Sequence, residues 1–319
     1  LEDSAAEIAT PSGLYIPQNY DRRFKGWVSV RMALAASLNV PAVRTLVMVT
    51  PDAFFNQLRQ LGLPLRENAG YYGYSLALGS AEVPLLHLTN AYRALANGGQ
   101  FAPVAPAVLG AAQRAKPVQV QVQVQVLSPQ VLSPQAAFVV GNILSDAQAR
   151  ASTFGLDSVL VTRFWTAVKT GTSKDMRDNW AVGWSQRYTV GVWVGNASGA
   201  SMHSVSGASG AAPVWAEVMA HLHARQPSRA PQPPAGVVQQ TVRYGADPVT
   251  GVPPESARTE WFLPGTAQAE FQMGTASTQA AAGAGRILQP VDGSVLALEA
   301  DLRDVAALPD LVEQTVGHF

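Results

Sequence analysis

The apolar positions of this chain recur at helical spacing through its first half and at strand spacing further on, and the changes of period mark its elements. Val28 to Ser37 is apolar apart from Arg31 and reads as a buried helix closing at Ser37-Leu38-Asn39, two residues before Pro41. A second helix runs from Pro41 to Val49, with proline in its first turn, where the missing N–H leaves no bond unmade. Pro51 to Leu61 places Phe54, Phe55, Leu58 and Leu61 on one face and stops at Gly62. From about Val83 to Asn97, Leu85, Leu88, Ala91, Tyr92 and Leu95 fall at helical spacing before Gly98-Gly99. Pro134 to Ser145 is a further helix. The period then shortens. Phe164 to Ser173 reads as a buried strand ending in a polar cluster, and Asn179 to Ser185 with Tyr188 to Val194 reads as a hairpin turning at Gln186-Arg187. An apolar helix, Pro213 to His223, follows. Helices flanking three consecutive strands predict an α/β (α+β) fold, an antiparallel sheet packed by helices.

The remaining stretches are irregular. Leu1 to Trp27, with Pro11, Gly13, Pro17 and Gly26, reads as a surface segment rich in turns. Val118 to Val126 alternates Val and Gln, and Val126 to Gln130 is repeated at once as Val131 to Gln135, which suggests a lengthened loop without chemistry. Gln226-Pro227 to Pro233-Pro234 is a proline-rich linker, Val237 to Gly265 looks extended, and Gly274 to Gly285 is rich in small residues. These shifts divide the chain into residues 1–224, 225–285 and 286–319. The last part opens as a strand-turn-strand at Ile287 to Ser294 and is too short to bury a core of its own.

Composition narrows the function. The 319 residues are 47% hydrophobic and 14% charged, a make-up that supports one sizeable core. Twenty-two basic residues balance 22 acidic ones, which gives no electrostatic case for nucleic acid or an anionic membrane. With no cysteine, thiol nucleophiles, disulfides and thiolate metal sites are excluded. No apolar run reaches the length of a membrane span, since Arg44 interrupts Val40 to Val49. The chain begins at Leu1 rather than Met and reads as a piece of something longer. His221-Leu222-His223 makes a poor metal site, because two residues apart on a helix point to different faces.

The chemistry concentrates in Lys169-Thr170-Gly171-Thr172-Ser173 at the end of the first long strand. A strand edge with a cation, hydroxyls and a residue lacking Cβ suits an extended peptide that ends in a carboxylate. Lys-Thr-Gly is an element of penicillin-binding proteins and serine β-lactamases, and Ser37-Leu38-Asn39 fits their Ser-x-Asn element. The run Ala36 to Val43, the pair Leu76 to Val83 and Ala91 to Gly99, and the stretches Arg177 to Gly183 and Val192 to Asn196 resemble bifunctional penicillin-binding proteins in order. Glu260 to Thr266 and Ile287 to Leu298 resemble the 1C subfamily, including the start of its C-terminal β-sandwich.

That resemblance implies the transpeptidase fold shared with serine β-lactamases and a D,D-transpeptidase that cross-links peptidoglycan stem peptides and is acylated by β-lactams. It implies no cofactor and no metal. Ser37 would relay a proton, Asn39 would bond the substrate amide, and Lys169 would hold charge beside the nucleophile. Thr170 and Thr172 would line the substrate strand, with the Thr172 hydroxyl on the terminal carboxylate and its N–H in the oxyanion hole, while Gly171 would keep the edge clear. The full-length parent would lie at the periplasmic face of the bacterial inner membrane, with an upstream glycosyltransferase and anchor. One element is missing. None of the four lysines, Lys25, Lys116, Lys169 and Lys174, stands three residues after a serine, so the sequence holds no Ser-x-x-Lys. This chain alone is therefore expected to be inactive as an acylating enzyme, and a non-catalytic scaffold that binds wall peptides is the competing expectation. A different serine hydrolase is disfavoured, because no Gly-x-Ser-x-Gly occurs.

Overall fold

The computed structural model describes residues 1–11, 13–104, 129–248 and 250–272, and the backbone of two short strands, Arg286–Leu288 and Ala297–Glu299. The Val/Gln alternation, the repeat up to Ser128, the stretch Gly274 to Gly285 and most of 286–319 lie outside the described residues. The chain falls into two compact units, one drawn from Leu1–Thr50 and the described part of Pro233–Phe319, the other from Pro51–Gln232.

In the first unit the segment expected to be irregular carries four short strands, β1 (Glu2–Asp3), β2 (Ile8–Thr10), β3 (Gly13–Tyr15) and β4 (Gly26–Trp27). β1 pairs antiparallel with β4, and β2 with β3. Two or three residues are too few for alternation to register, so the turn signals dominated the sequence. Helix α1 (Val30–Ala35) starts at Ser29, whose hydroxyl accepts the Met32 N–H at 3.0 Å. Helix α2 (Asn39–Val49) begins two residues earlier than proline placement alone suggests.

The second unit opens with α3 (Pro51–Gln60), α4 (Ala69–Tyr72), a 3-10 turn at Gly73–Leu78 and α5 (Leu85–Ala96). Helices α6 (Pro134–Leu144) and α7 (Ala147–Phe154) follow; α7 has no apolar stripe and is started by Asp146, which caps Ala149 at 3.0 Å. Strands β5 (Ala167–Thr172), β6 (Asp178–Trp184) and β7 (Thr189–Gly195) form an antiparallel sheet in the order β5-β6-β7. A π-turn at Gly207–Ala211 runs straight into α8 (Ala212–Leu222). β5 starts at Ala167, three residues later than the pattern suggests.

The core of this unit lies between sheet and α8: Leu160, Val168, Ala181, Ala211, Ala212, Trp215 and Met219 are buried together. Gly183 is what lets Trp215 in, since a Cβ there would stand 2.7 Å from its ring and 2.5 Å from the Ala167 carbonyl. On the opposite face, Trp184 meets Tyr92 edge-on at 5.9 Å. The β6–β7 hairpin turns through Ser185–Tyr188, longer than the two-residue turn expected. The buried Ser185 hydroxyl takes the N–H groups of Arg187 and Tyr188 and bonds His223 Nε2 at 2.8 Å. His223 Nδ1 bonds the Gln226 carbonyl at 2.8 Å, so both ring nitrogens are occupied.

The extended stretch after the prolines folds into a second sheet in the first unit. β8 (Val238–Tyr244) lies between β9 (Arg258–Phe262), antiparallel, and β10 (Glu270–Phe271), parallel. Beyond it, β11 (Arg286–Leu288) and β12 (Ala297–Glu299) pair antiparallel, the second strand starting past Ser294, where the expected strand-turn-strand opening ends. The β8–β10 sheet is tied to α1 by charge. Buried Arg31 binds Glu260 through Nε at 2.7 Å and Nη2 at 2.6 Å, and Arg258 bridges Glu260 at 2.5 Å and Glu255 at 2.6 Å. Glu255 in turn accepts from the Ser29 N–H at 2.6 Å, at the very start of α1.

Candidate active-site elements

Lys169, Thr170, Gly171 and Thr172 lie together on β5, in the second unit. Ala167 and Val168 are fully buried and fix the strand, and its register puts Lys169 opposite Val182 and Thr172 opposite Asn179. Among the described strands nothing pairs with the other edge of β5. Alternation divides the motif between two faces. Val168, Thr170 and Thr172 share the face that packs on α8, and Lys169 and Gly171 share the other.

Lys169 is half-buried, and its ammonium donates to the Thr170 carbonyl at 2.8 Å. Burial pushes its pKa down from the ordinary 10.5 to about 8. Near neutral pH such a lysine is charged yet gives up its proton readily, which suits both carboxylate attraction and proton transfer.

Gly171 has an unexceptional backbone, and a Cβ added to it would meet Trp180 Cβ at 3.6 Å, an ordinary contact. The fold does not require glycine there. Gly207 is the opposite case. A Cβ on it would stand 2.4 Å from the Gly171 carbonyl and 2.7 Å from that of Trp180, and its N–H donates to Thr172 Oγ1 at 2.9 Å. Past Thr172 the chain is closed by a reciprocal pair: the Ser173 N–H reaches the Asp178 carbonyl at 2.9 Å, and the Asp178 N–H reaches Ser173 Oγ at 2.8 Å. The Asp178 carboxylate accepts from Ser173 Oγ at 3.1 Å and from the Trp193 indole at 3.0 Å. Asp175 and Met176 take left-handed backbone angles within that turn.

Ser37 and Asn39 lie in the first unit, at the junction of α1 and α2. Leu38 between them is buried beside Val28, Ala33 and Ala36, which leaves its two neighbours half-buried. Ser37 has a left-handed backbone, φ +59°, unusual for a residue with a side chain. Leu38 occupies the N-cap of α2 and cannot cap it. The cap arrives from elsewhere: Asn19 Oδ1 accepts from the N–H groups of Asn39 at 2.9 Å and Val40 at 3.2 Å. Asn19 Nδ2 donates to both oxygens of fully buried Asp3 at 2.8 Å, and Asp3 also takes the Lys25 N–H. Neither Asn19 nor Asp3 was singled out from sequence, because a cap supplied from twenty residues away leaves no local signature. Among the described residues, no group of three metal-ligating side chains occurs and no helix is long and apolar enough to cross a membrane.

Comparison with known proteins bears on the chain as a whole. The family model described as penicillin binding protein transpeptidase domain matches residues 5–220. The chain is similar to penicillin-binding protein 1C of Escherichia coli, 32% identical over 213 residues, which are 66% of this chain and 25% of that protein. It is 28% identical to penicillin-binding protein 1A of Clostridium botulinum, over 81% of this chain and 31% of that protein. The chain thus spans about a quarter to a third of the curated relatives it matches. Its fold is that of penicillin-binding protein 1A from Haemophilus influenzae (TM-score 0.65, 23% identity, 83% of this chain and 44% of that one). PonA1 of Mycobacterium tuberculosis shares it (TM-score 0.58, 20% identity, 73% of this chain and 65% of that one). With the family model matched over most of its length and the Lys-Thr-Gly strand at the edge of its antiparallel sheet, this chain belongs to the penicillin-binding protein transpeptidase domain family.

Proposed function

We propose that this chain is the D,D-transpeptidase portion of a penicillin-binding protein of the 1C kind, recognising peptidoglycan stem peptides that end in D-Ala-D-Ala, and β-lactams. The observation that carries this reading is β5 itself. A lysine with a depressed pKa and two threonines line a strand whose other edge has no described partner, and Gly171 is bare where folding does not demand it. An extended peptide laid along such an edge gains main-chain bonds, and its terminal carboxylate gains a cation and hydroxyls.

Within this reading Lys169 supplies positive charge and passes a proton. Thr170, Gly171 and Thr172 hold the peptide, the Thr172 N–H serves as an oxyanion donor, Ser37 relays a proton and Asn39 bonds the substrate amide. One oxyanion donor contributes about 3 kcal/mol to such a reaction. The full-length protein would act at the periplasmic face of the inner membrane beside a glycosyltransferase domain. The sequence given holds no Ser-x-x-Lys, so acylation through that motif needs a segment supplied to this chain. A second reading, a scaffold that holds wall peptides without acylation, rests on the same peptide-binding edge.

Fluorescent penicillin and a D-Ala-D-Ala peptide test both readings. The chain as given should show saturable, reversible peptide binding and no covalent penicillin band. A chain extended upstream through a Ser-x-x-Lys segment should form the band. Absence of peptide binding would sink the recognition proposal, and a covalent band on the chain as given would place a nucleophile elsewhere. An extended chain that binds peptide but never labels would favour the scaffold.

A further inference from the structure

We propose that Gly207 is a positioning residue for Thr172: its N–H holds a lone pair of the Thr172 hydroxyl, so that the hydroxyl proton is turned outward and this end of β5 selects a carboxylate. The inference rests on the reading of β5 as a peptide-binding edge, and adds to it what sets the direction of the one side-chain hydroxyl at its end.

A threonine hydroxyl carries one donor and two acceptor sites and, left alone, rotates to suit either kind of partner. Here one acceptor site is filled by the Gly207 N–H at 2.9 Å. That N–H cannot swing away, for three reasons. Gly207 is buried with its Cα against the Gly171 and Trp180 carbonyls, where a Cβ would stand 2.4 and 2.7 Å away, so only glycine brings the amide this close. A capping box formed by Ser206 and Ser209 then fixes the turn on both sides: the Ser206 N–H donates to Ser209 Oγ at 2.9 Å and the Ser209 N–H to Ser206 Oγ at 3.2 Å. Finally, the π-turn continues into α8, whose Trp215 and Met219 are fully buried. On the other side of Thr172, the Ser173–Asp178 pair prevents the strand end from shifting. With one of its two acceptor sites filled, the hydroxyl keeps its proton and a single acceptor site for a ligand, which tilts it toward donating, and an anion oxygen is the group that takes that proton best.

Two measurements on the full 319-residue chain test this separately from peptide recognition as such. Amide exchange of Gly207 reads the clamp without any ligand. It should be at least tenfold faster in Thr172→Val than in the parent, and slow again in Thr172→Ser; equal exchange in all three overturns the inference. The second measurement compares affinity for an N-acylated D-Ala-D-Ala peptide with that for its C-terminal amide. The parent and Thr172→Ser should prefer the carboxylate at least tenfold, and Thr172→Val and Gly207→Ala should lose the part of that preference owed to the hydroxyl, at least threefold, keeping the part owed to the Lys169 charge and still binding the amide. Equal affinity of the parent for both peptides overturns the selectivity. If neither peptide binds, the peptide-recognition reading falls and the selectivity with it, while exchange still reports on the clamp.

Discussion

Asn19 holds Asn39 in place: its Oδ1 accepts the Asn39 N–H at 2.9 Å while its Nδ2 is pinned by both oxygens of Asp3 at 2.8 Å. The start of α2, and with it the Ser37-Leu38-Asn39 turn, is therefore set by a segment that precedes α1. Removing the amide uncaps α2 and leaves a buried carboxylate short of a donor. Asn19→Ala should destabilise the chain by about 1–3 kcal/mol in chemical denaturation. Asn39→Ala, which keeps the backbone N–H, should cost far less.

The role proposed for Lys169 would give peptide binding a pH signature. Its charge is present below about 8 and is lost above, because burial disfavours the ammonium. Affinity for a peptide carboxylate should hold through neutral pH and fall as pH rises past about 8. Lys169→Arg, which stays charged, should move that fall to higher pH. Folding responds with the opposite sign. The folded lysine releases its proton before the unfolded one, so its contribution to stability improves as pH rises from about 8 toward 10.5. A binding isotherm flat from pH 7 to 10 would contradict the role given to it.

Two glycines of one sheet should separate folding from the proposed peptide binding. Gly183→Ala drives a methyl into the Ala167 carbonyl and the Trp215 ring and should cost about 1–3 kcal/mol of stability. Gly171→Ala meets only ordinary contact, so its melting temperature should stay level or rise slightly, since alanine has less backbone freedom to lose. Its peptide affinity should nonetheless fall at least tenfold. A Gly171→Ala chain that binds normally would show that the bare edge has no role.

Acid should loosen the tie between α1 and the β8–β10 sheet. Burial raises the pKa of Glu260, but hydrogen bonds from Arg31 and Arg258 outweigh it and hold the carboxyl below its ordinary 4.5. Its contribution is complete above that value and is lost as pH falls below it, through the folded-state pKa. Glu260→Gln should cost about 3–5 kcal/mol at pH 7, by leaving buried Arg31 uncompensated, and should flatten the acid limb of the stability curve.

What could be read from sequence was what local chemistry dictates. The long helices and the three central strands announced themselves through period, proline and glycine, and Lys169 to Thr172 through a cluster of polar types after a buried run. Helix α7 escaped because its helix rests on an Asp146 cap and packing rather than on a stripe. Gly207, Asn19 and Asp3 escaped for a different reason. Each acts on a motif from 20 or more residues away, and nothing in the spacing of residue types records that a glycine must touch a carbonyl of β5 or that an asparagine must cap a distant helix.

Calorimetric titration of an N-acylated D-Ala-D-Ala peptide into the parent chain and Lys169→Ala, at pH 7 and matched ionic strength, bears most directly on whether β5 grips the peptide tail. The parent should bind with one site per chain, and the variant, still folded by circular dichroism, should lose at least tenfold in affinity. Equal binding by the two would contradict the assignment of β5 as the peptide-binding edge.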